Sequence, residues 1–297
     1  MKNNILANYF KGKKTLIVAE MSGNHNLSLA HAFKMINTIK RTGADAVKIQ
    51  LYTPDTITFN SNNRDFLLKK KNKWSKNKNL YSLYKKAHTP WSWYNKLNRE
   101  CKKRKLIFFP SVFDRSSVDY ALKCRTKILK IASPEINDID LLEYISKKKF
   151  PYVMISTGLA NEKEINEAVK ILKRKGTKLI LMKCNSAYPT TIEEMNLVMI
   201  KEFQEKFNLT VGLSDHSMDT VAPIVAVSLG AKVIEKHFSL SKKSIDGFFS
   251  LNFKEFKKMV DQIRDVENSL GKETYEISKN SRQNLFAKRS LYTVKDI

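Results

Sequence analysis

Eight short apolar runs alternate with amphipathic stretches from about Thr15 to Leu270, and this rhythm constrains the chain more than any other feature. The runs are Thr15–Glu20, Asp45–Gln50, Leu106–Pro110, Ile128–Ala132, Tyr152–Ser156, Leu179–Lys183, Leu209–Leu213 and Lys232–Lys236. Strands separated by helix-length crossovers pair in parallel, and eight such units close into a (β/α)8, or TIM, barrel. The 297 residues suit this α/β fold, which needs roughly 250. The expected organisation is a barrel domain over 1–271 and a linker over 272–297.

The intervening helices carry their own punctuation. Asn161 with Glu164 three residues on makes a capping box, and Ile165, Val169 and Leu172 supply the buried face. Gly176 is expected to end that helix, and Thr89-Pro90 to start another. The last helix places Phe253, Phe256, Val260 and Ile263 at helical spacing and stops near Gly271, a pattern that belongs to core packing. A polar and aromatic insertion separates Gln50 from Thr89; it leaves a strand's C-terminal end and is placed to cover the mouth of a site. The ending Arg289–Ile297 reads as a strand entering a further unit.

The formal net charge of +25 taken alone suggests nucleic acid. The lysines, however, are spread over nearly every helix face, which fits solvated surfaces better than a binding stripe. The densest run, Lys69 to Lys78, contains Trp74 and reads as a solvated loop. No window approaches the ~20 apolar residues of a membrane span. Cys101, Cys124 and Cys184 show no paired spacing and read as reduced thiols, which points to the cytoplasm.

Chemistry gathers at the strand ends, where barrel active sites lie. Lys48 and Lys130 occupy positions where lysine is costly unless an anion answers it. A Schiff-base lysine is one reading; phosphate binding is the other, favoured because Ser111, Ser133, Ser156 and Ser214 also fall at strand ends. His216 and His237 end neighbouring strands and suit a divalent ion such as Mn²⁺ or Zn²⁺ with open positions. Asp215 and Glu235 are candidates to fix their tautomers. Glu20 and Glu135 are acid–base candidates, and Tyr188 is placed to line the sugar side of a pocket.

Several segments together resemble the sialic acid synthase family. They are Ala19-Glu20-Met21-Ser22-Gly23-Asn24-His25-Asn26, Gly43-Ala44-Asp45-Ala46-Val47-Lys48-Ile49-Gln50, Lys130-Ile131-Ala132-Ser133, Ser156-Thr157-Gly158, Gly212-Leu213-Ser214-Asp215-His216 and Glu235-Lys236-His237-Phe238. Tyr52-Thr53-Pro54-Asp55-Thr56-Ile57 and Ala87-His88-Thr89-Pro90-Trp91-Ser92-Trp93 look like the branch of that family that makes pseudaminic acid.

The resemblance implies a metal-dependent barrel enzyme. Its reaction condenses phosphoenolpyruvate with an N-acetylated amino sugar to a nonulosonic acid, releasing phosphate. Lys48, Ser111, Lys130, Ser133, Ser156, Ser186 and Ser214 would hold phosphoenolpyruvate. His216 and His237 would bind Mn²⁺ or Mg²⁺; Gln50, Tyr188 and Asp246 would face the sugar; Glu20 and Glu135 would manage protons. In this family Arg289-Ser290-Leu291-Tyr292 leads into an antifreeze-like domain that caps the partner's site in a dimer. A homodimer and a separately supplied cap domain are therefore the implied protein partners. The competing readings are a neuraminate or legionaminate synthase, a Schiff-base aldolase, and a capless barrel with little activity kept as a binding protein.

Overall fold

The computed structural model describes residues 6, 9, 10, 12, 14–69, 73–173 and 176–288. The expected strand at Arg289–Ile297 lies outside the described residues. Eight parallel strands close a barrel in sequence order: β1 (Leu16–Glu20), β2 (Ala46–Leu51), β3 (Ile107–Val112), β4 (Ile128–Ile131), β5 (Tyr152–Ser156), β6 (Lys178–Cys184), β7 (Thr210–Asp215) and β8 (Val233–His237). Closure runs through β1 and β8, with Glu20 opposite His237. Each expected strand is present within two residues of its predicted start.

Eight helices surround the barrel: α1 (Leu29–Thr42), α2 (Tyr94–Lys103), α3 (Arg115–Lys123), α4 (Ile139–Lys147), α5 (Glu162–Leu172), α6 (Met199–Phe207), α7 (Val221–Ser228) and α8 (Phe253–Ser269). The Asn161–Glu164 box forms as expected, with reciprocal bonds of 3.0 and 2.8 Å. Two boundaries differ from expectation. Pro90 precedes a 3₁₀ turn at Trp91–Trp93, and the helix proper begins at Tyr94. The α5 helix stops at Leu172 with Lys173 as its C-cap, so Gly176, with φ +76°, does not cap it.

Because strand side chains alternate, every second residue points into the barrel. Towards the N-terminal end those residues are apolar: Leu16, Val18, Ala46, Phe109, Met154, Ile180 and Val233 pack into one interior cluster. Towards the C-terminal end the same alternation delivers Glu20, Lys48, Ser111, Lys130, Ser156, Ser214, Glu235 and His237, all buried. The outward set, including Ile17, Val47, Leu129, Val153, Leu181, Val211 and Ile234, packs under the helices. A dry plug therefore stands beneath a polar mouth, the layered arrangement of barrel enzymes.

At the opposite end Asp45 accepts from the Ile17 amide (3.0 Å) and from Arg264 of α8 (2.6 Å), tying strands to helix away from the mouth. The insertion after β2 carries short helices at Pro54–Ile57 and Leu80–Ala87, joined by an antiparallel bridge between Leu67 and Asn79.

Candidate active site

Lys48 is the centre of the mouth. Its Nζ lies 2.8 Å from Glu20 Oε2 and 3.2 Å from Glu235 Oε1, and donates to Ser111 Oγ at 2.9 Å. Lys130 donates to Ser156 Oγ at 2.5 Å and lies 4.0 Å from Glu235 Oε1. Ser214 Oγ also donates to Glu235, at 3.1 Å. Four of the predicted anion-holding groups thus share one network with Ser214, through Glu235.

One ammonium cannot hold two buried carboxylates in the charged form. Burial raises both; Lys48 and Lys130 together outweigh it at Glu235, which stays below the usual range. At Glu20 burial wins over Lys48, and the neighbouring Glu235 charge adds to it, pushing the pKa up to about 7. Lys130 is lowered by burial, with Glu235 opposing. Near neutral pH Glu20 is therefore close to half-protonated beside the charged Lys48–Glu235 pair.

Ser133 and Ser186 form a second edge around Gly158. The Gly158 amide donates to Ser133 Oγ at 3.0 Å. A Cβ there would lie 2.5 Å from Ser186 Oγ and 2.9 Å from Ser133 Oγ, so the close approach requires glycine.

His216 and His237 face each other with ring centroids 5.4 Å apart. The His216 Nδ1–H donates to the Asn185 carbonyl at 2.7 Å, which leaves Nε2 with its lone pair. His237 Nδ1 is buried without a hydrogen-bond partner. The carboxylates expected to fix these tautomers do not do so. Asp215 points outward and pairs with Lys236, while Glu235 points inward to the lysines. The alternation of β7 and β8 imposes both outcomes. Cys184 Sγ stands 4.0 Å from His216 Nδ1.

Tyr188 packs tilted against His216, with ring centroids 4.4 Å apart. Asp246 accepts from Ser22 Oγ at 2.5 Å and from the Trp74 indole at 3.0 Å, and Gln50 lies two residues beyond Lys48 on the same face of β2. Trp74 is a residue that sequence reasoning left out of the site, and Glu235 entered it only as a partner for the histidines. Only the strand alternation could have promoted Glu235; Trp74 carried no local signal.

Glu135 follows Ser133 in a 3₁₀ turn, with Oε2 buried and unpartnered. Burial first of all pushes its pKa from an ordinary 4.5 up to about 7. The folded chain therefore keeps a proton that the unfolded chain has released, and the stability contributed by this group falls as pH rises from about 4.5 to 7. Glu135→Gln should match wild type in thermal unfolding at pH 4 and gain on it towards pH 8, by on the order of 2 kcal/mol. An unchanged difference across that range would mean that the acid is not held neutral by the fold.

The closed parallel barrel and its cationic, hydroxyl-rich, histidine-bearing mouth define a (β/α)8 enzyme built to handle an anionic small molecule. The family is settled by comparison: the chain belongs to the NeuB family, whose pattern matches residues 35–275. It is 44% identical to the pseudaminic acid synthase of Campylobacter jejuni serotype O:2 over 98% of this chain and 85% of that one. The N,N'-diacetyllegionaminic acid synthase of the same organism is 34% identical over 96% of this chain and 86% of that one. The solved structure of N-acetylneuraminic acid (sialic acid) synthetase from Leptospira borgpetersenii, in complex with citrate, superimposes with a TM-score of 0.80 at 30% identity. That match covers 94% of this chain and 93% of the other. Among the described residues no helix is long and apolar enough to cross a membrane.

Proposed function

We propose that the chain condenses phosphoenolpyruvate with a diacetamido-trideoxy-hexose, the reaction of a pseudaminic acid synthase. The observation that carries this reading is the buried Lys48–Lys130 network beside the histidine pair, supported by the 10-point identity margin of the pseudaminic over the legionaminic relative, 44% against 34%. Residues 271–288 expose every side chain, which supports reading 272 onwards as a linker beyond the barrel domain.

The residues fit a divalent cation. Two facing imidazoles each keep a nitrogen free for it. Such an ion would leave positions for substrate oxygens, as catalytic metals require. Held by His216 Nε2 and His237, Mn²⁺ or Mg²⁺ would supply Lewis-acid polarisation of the open-chain sugar aldehyde.

The chain's own groups do the rest. Lys48 and Lys130, with Ser111, Ser156 and Ser214, hold carboxylate and phosphate so that the enol carbon faces the aldehyde carbon. The Ser133–Gly158–Ser186 edge closes the cradle. As the carbon–carbon bond forms, the aldehyde oxygen takes up a proton, and Glu135 or Glu20, each near pKa 7, holds one at the right acidity. Water then adds to C2 of the former enol and gives up a proton. The C2 hydroxyl then closes to the ketone carbonyl as the C2–O bond to phosphate breaks, and inorganic phosphate leaves with the bonding pair and takes up the hydroxyl proton.

Phosphate release from phosphoenolpyruvate with Mn²⁺, with the diacetamido sugar and N-acetylmannosamine in parallel, tests the reading. Release is expected with the diacetamido sugar, and His237→Ala should lower it at least about 10²-fold, the scale of disturbed metal ligation. Release with N-acetylmannosamine alone would move the chain to a neuraminate synthase.

A further inference from the structure

The lysine-rich run of the insertion does not behave throughout as a solvated loop. Lys73, Ser75 and Lys76 are exposed, but Trp74 between them is half-buried. Its indole Nε1–H is shared between the Asp246 carboxylate (3.0 Å) and the Ile245 carbonyl (3.1 Å). Its ring meets Tyr188 edge-on at 5.7 Å and Phe248 at 5.3 Å. The backbone is fixed as well: the Asn77 amide and side chain both donate to the Trp74 carbonyl, and Lys86 of the Leu80–Ala87 helix donates to Asn77 Oδ1.

Topology gives this placement its meaning. The insertion leaves β2, whereas Tyr188 follows β6, and in an eight-strand barrel those two strands stand opposite each other. Trp74 therefore meets a residue from the far side of the barrel, and with Tyr188, Phe248 and Phe249 it forms an aromatic cluster beside His216. Asp246, meanwhile, already has both oxygens engaged, by Ser22 and by Trp74.

We propose that Trp74 is a specificity-determining residue for the sugar, which deepens the synthase reading and rests on it. An indole offers one donor, here engaged, and no acceptor. Its face gains from a methyl or acetamido methyl group beneath it and strands a hydroxyl that must lose water to enter. The subsite thus selects a sugar whose far end is deoxygenated over one ending in a hydroxymethyl group. Trp74 also fixes Asp246 through its indole N–H, and so holds in place a residue expected to face the sugar.

The test measures phosphate release with phosphoenolpyruvate and each sugar varied separately, in wild type, Trp74→Ala and Trp74→Phe. Trp74→Ala should raise KM for the diacetamido-trideoxy sugar about tenfold and erode the preference over its 6-hydroxy analogue by a similar factor. KM for phosphoenolpyruvate should stay within about twofold, because only the outer subsite loses contact. Trp74→Phe, which keeps a ring and loses the donor, should fall between the two, and it carries the comparison if the alanine variant does not fold. An active wild type whose sugar KM and preference survive both substitutions would overturn this inference alone, as would equal rises in both KM values. A wild type that releases no phosphate with any sugar would overturn the synthase reading and this one with it.

Discussion

Lys48→Met is expected to lower kcat/KM for phosphoenolpyruvate by about 10²- to 10⁴-fold, the kinetic equivalent of the roughly 3–5 kcal/mol lost when one partner of a buried charge network is removed. Lys48 is 4% exposed and touches Glu20, Glu235 and Ser111 at once. Methionine has a similar length and no charge, so the packing survives and the electrostatics do not. The variant also has a distinctive pH signature. Without the ammonium, Glu20 and Glu235 become two buried acids with only Lys130 nearby, and both prefer the protonated form. Folded pKa values above the unfolded ones mean that stability is retained near pH 4 and lost as pH rises. Urea unfolding should therefore place the variant close to wild type at pH 4 and lower by about 3 kcal/mol at pH 8. Unchanged KM for phosphoenolpyruvate would remove Lys48 from the cradle, whatever the stability data show.

The inward alternation explains how much of this site was legible in the sequence. Once eight strands are placed, period two sends Lys48, Ser111, Lys130, Ser156 and Ser214 to one end of one interior, and no tertiary information is needed. The same rule fixes Glu235 two residues before His237, facing Lys48. Its role was mistaken because nearness in sequence suggests a partnership with His237, whereas the lysines of β2 and β4 hold its carboxylate. His216 illustrates the point: its orienting group is the Asn185 carbonyl from the β6–α6 loop, 31 residues away. Trp74 was illegible for another reason. A residue on the stretch between Leu51 and the helix at Leu80–Ala87 follows no strand or long-helix period, and its contacts with Asp246 and Tyr188 come from elements 172 and 114 residues distant. Pro90 and Gly176 misled more mildly, because each marks a turn and leaves the neighbouring helix end free by a few residues.

Behind the histidines lies the other large expected effect. Asp215 and Lys236, each 1% exposed, form an ion pair on the outward faces of β7 and β8. Lys236 Nζ also donates to the Ser217 carbonyl at 2.7 Å, and Asp215 Oδ1 accepts from the Ser217 amide at 2.8 Å. These bonds clamp the chain on both sides of His216, while Thr190 holds the His216 carbonyl at 3.1 Å. Asp215→Ala leaves a buried ammonium unpaired and should cost about 3–5 kcal/mol in urea unfolding. Replacing both partners, Asp215→Leu with Lys236→Met, should recover most of that loss, because an apolar pair needs no desolvation of charge. Activity should not recover with it. The Ser217 amide and carbonyl lose their anchors, His216 gains freedom, and a displacement of about 1 Å at a reacting centre costs on the order of 10²-fold. A double variant that is stable yet slow would establish the pair as a positioning device. One that is both stable and fully active would reduce it to a component of the strand–helix layer.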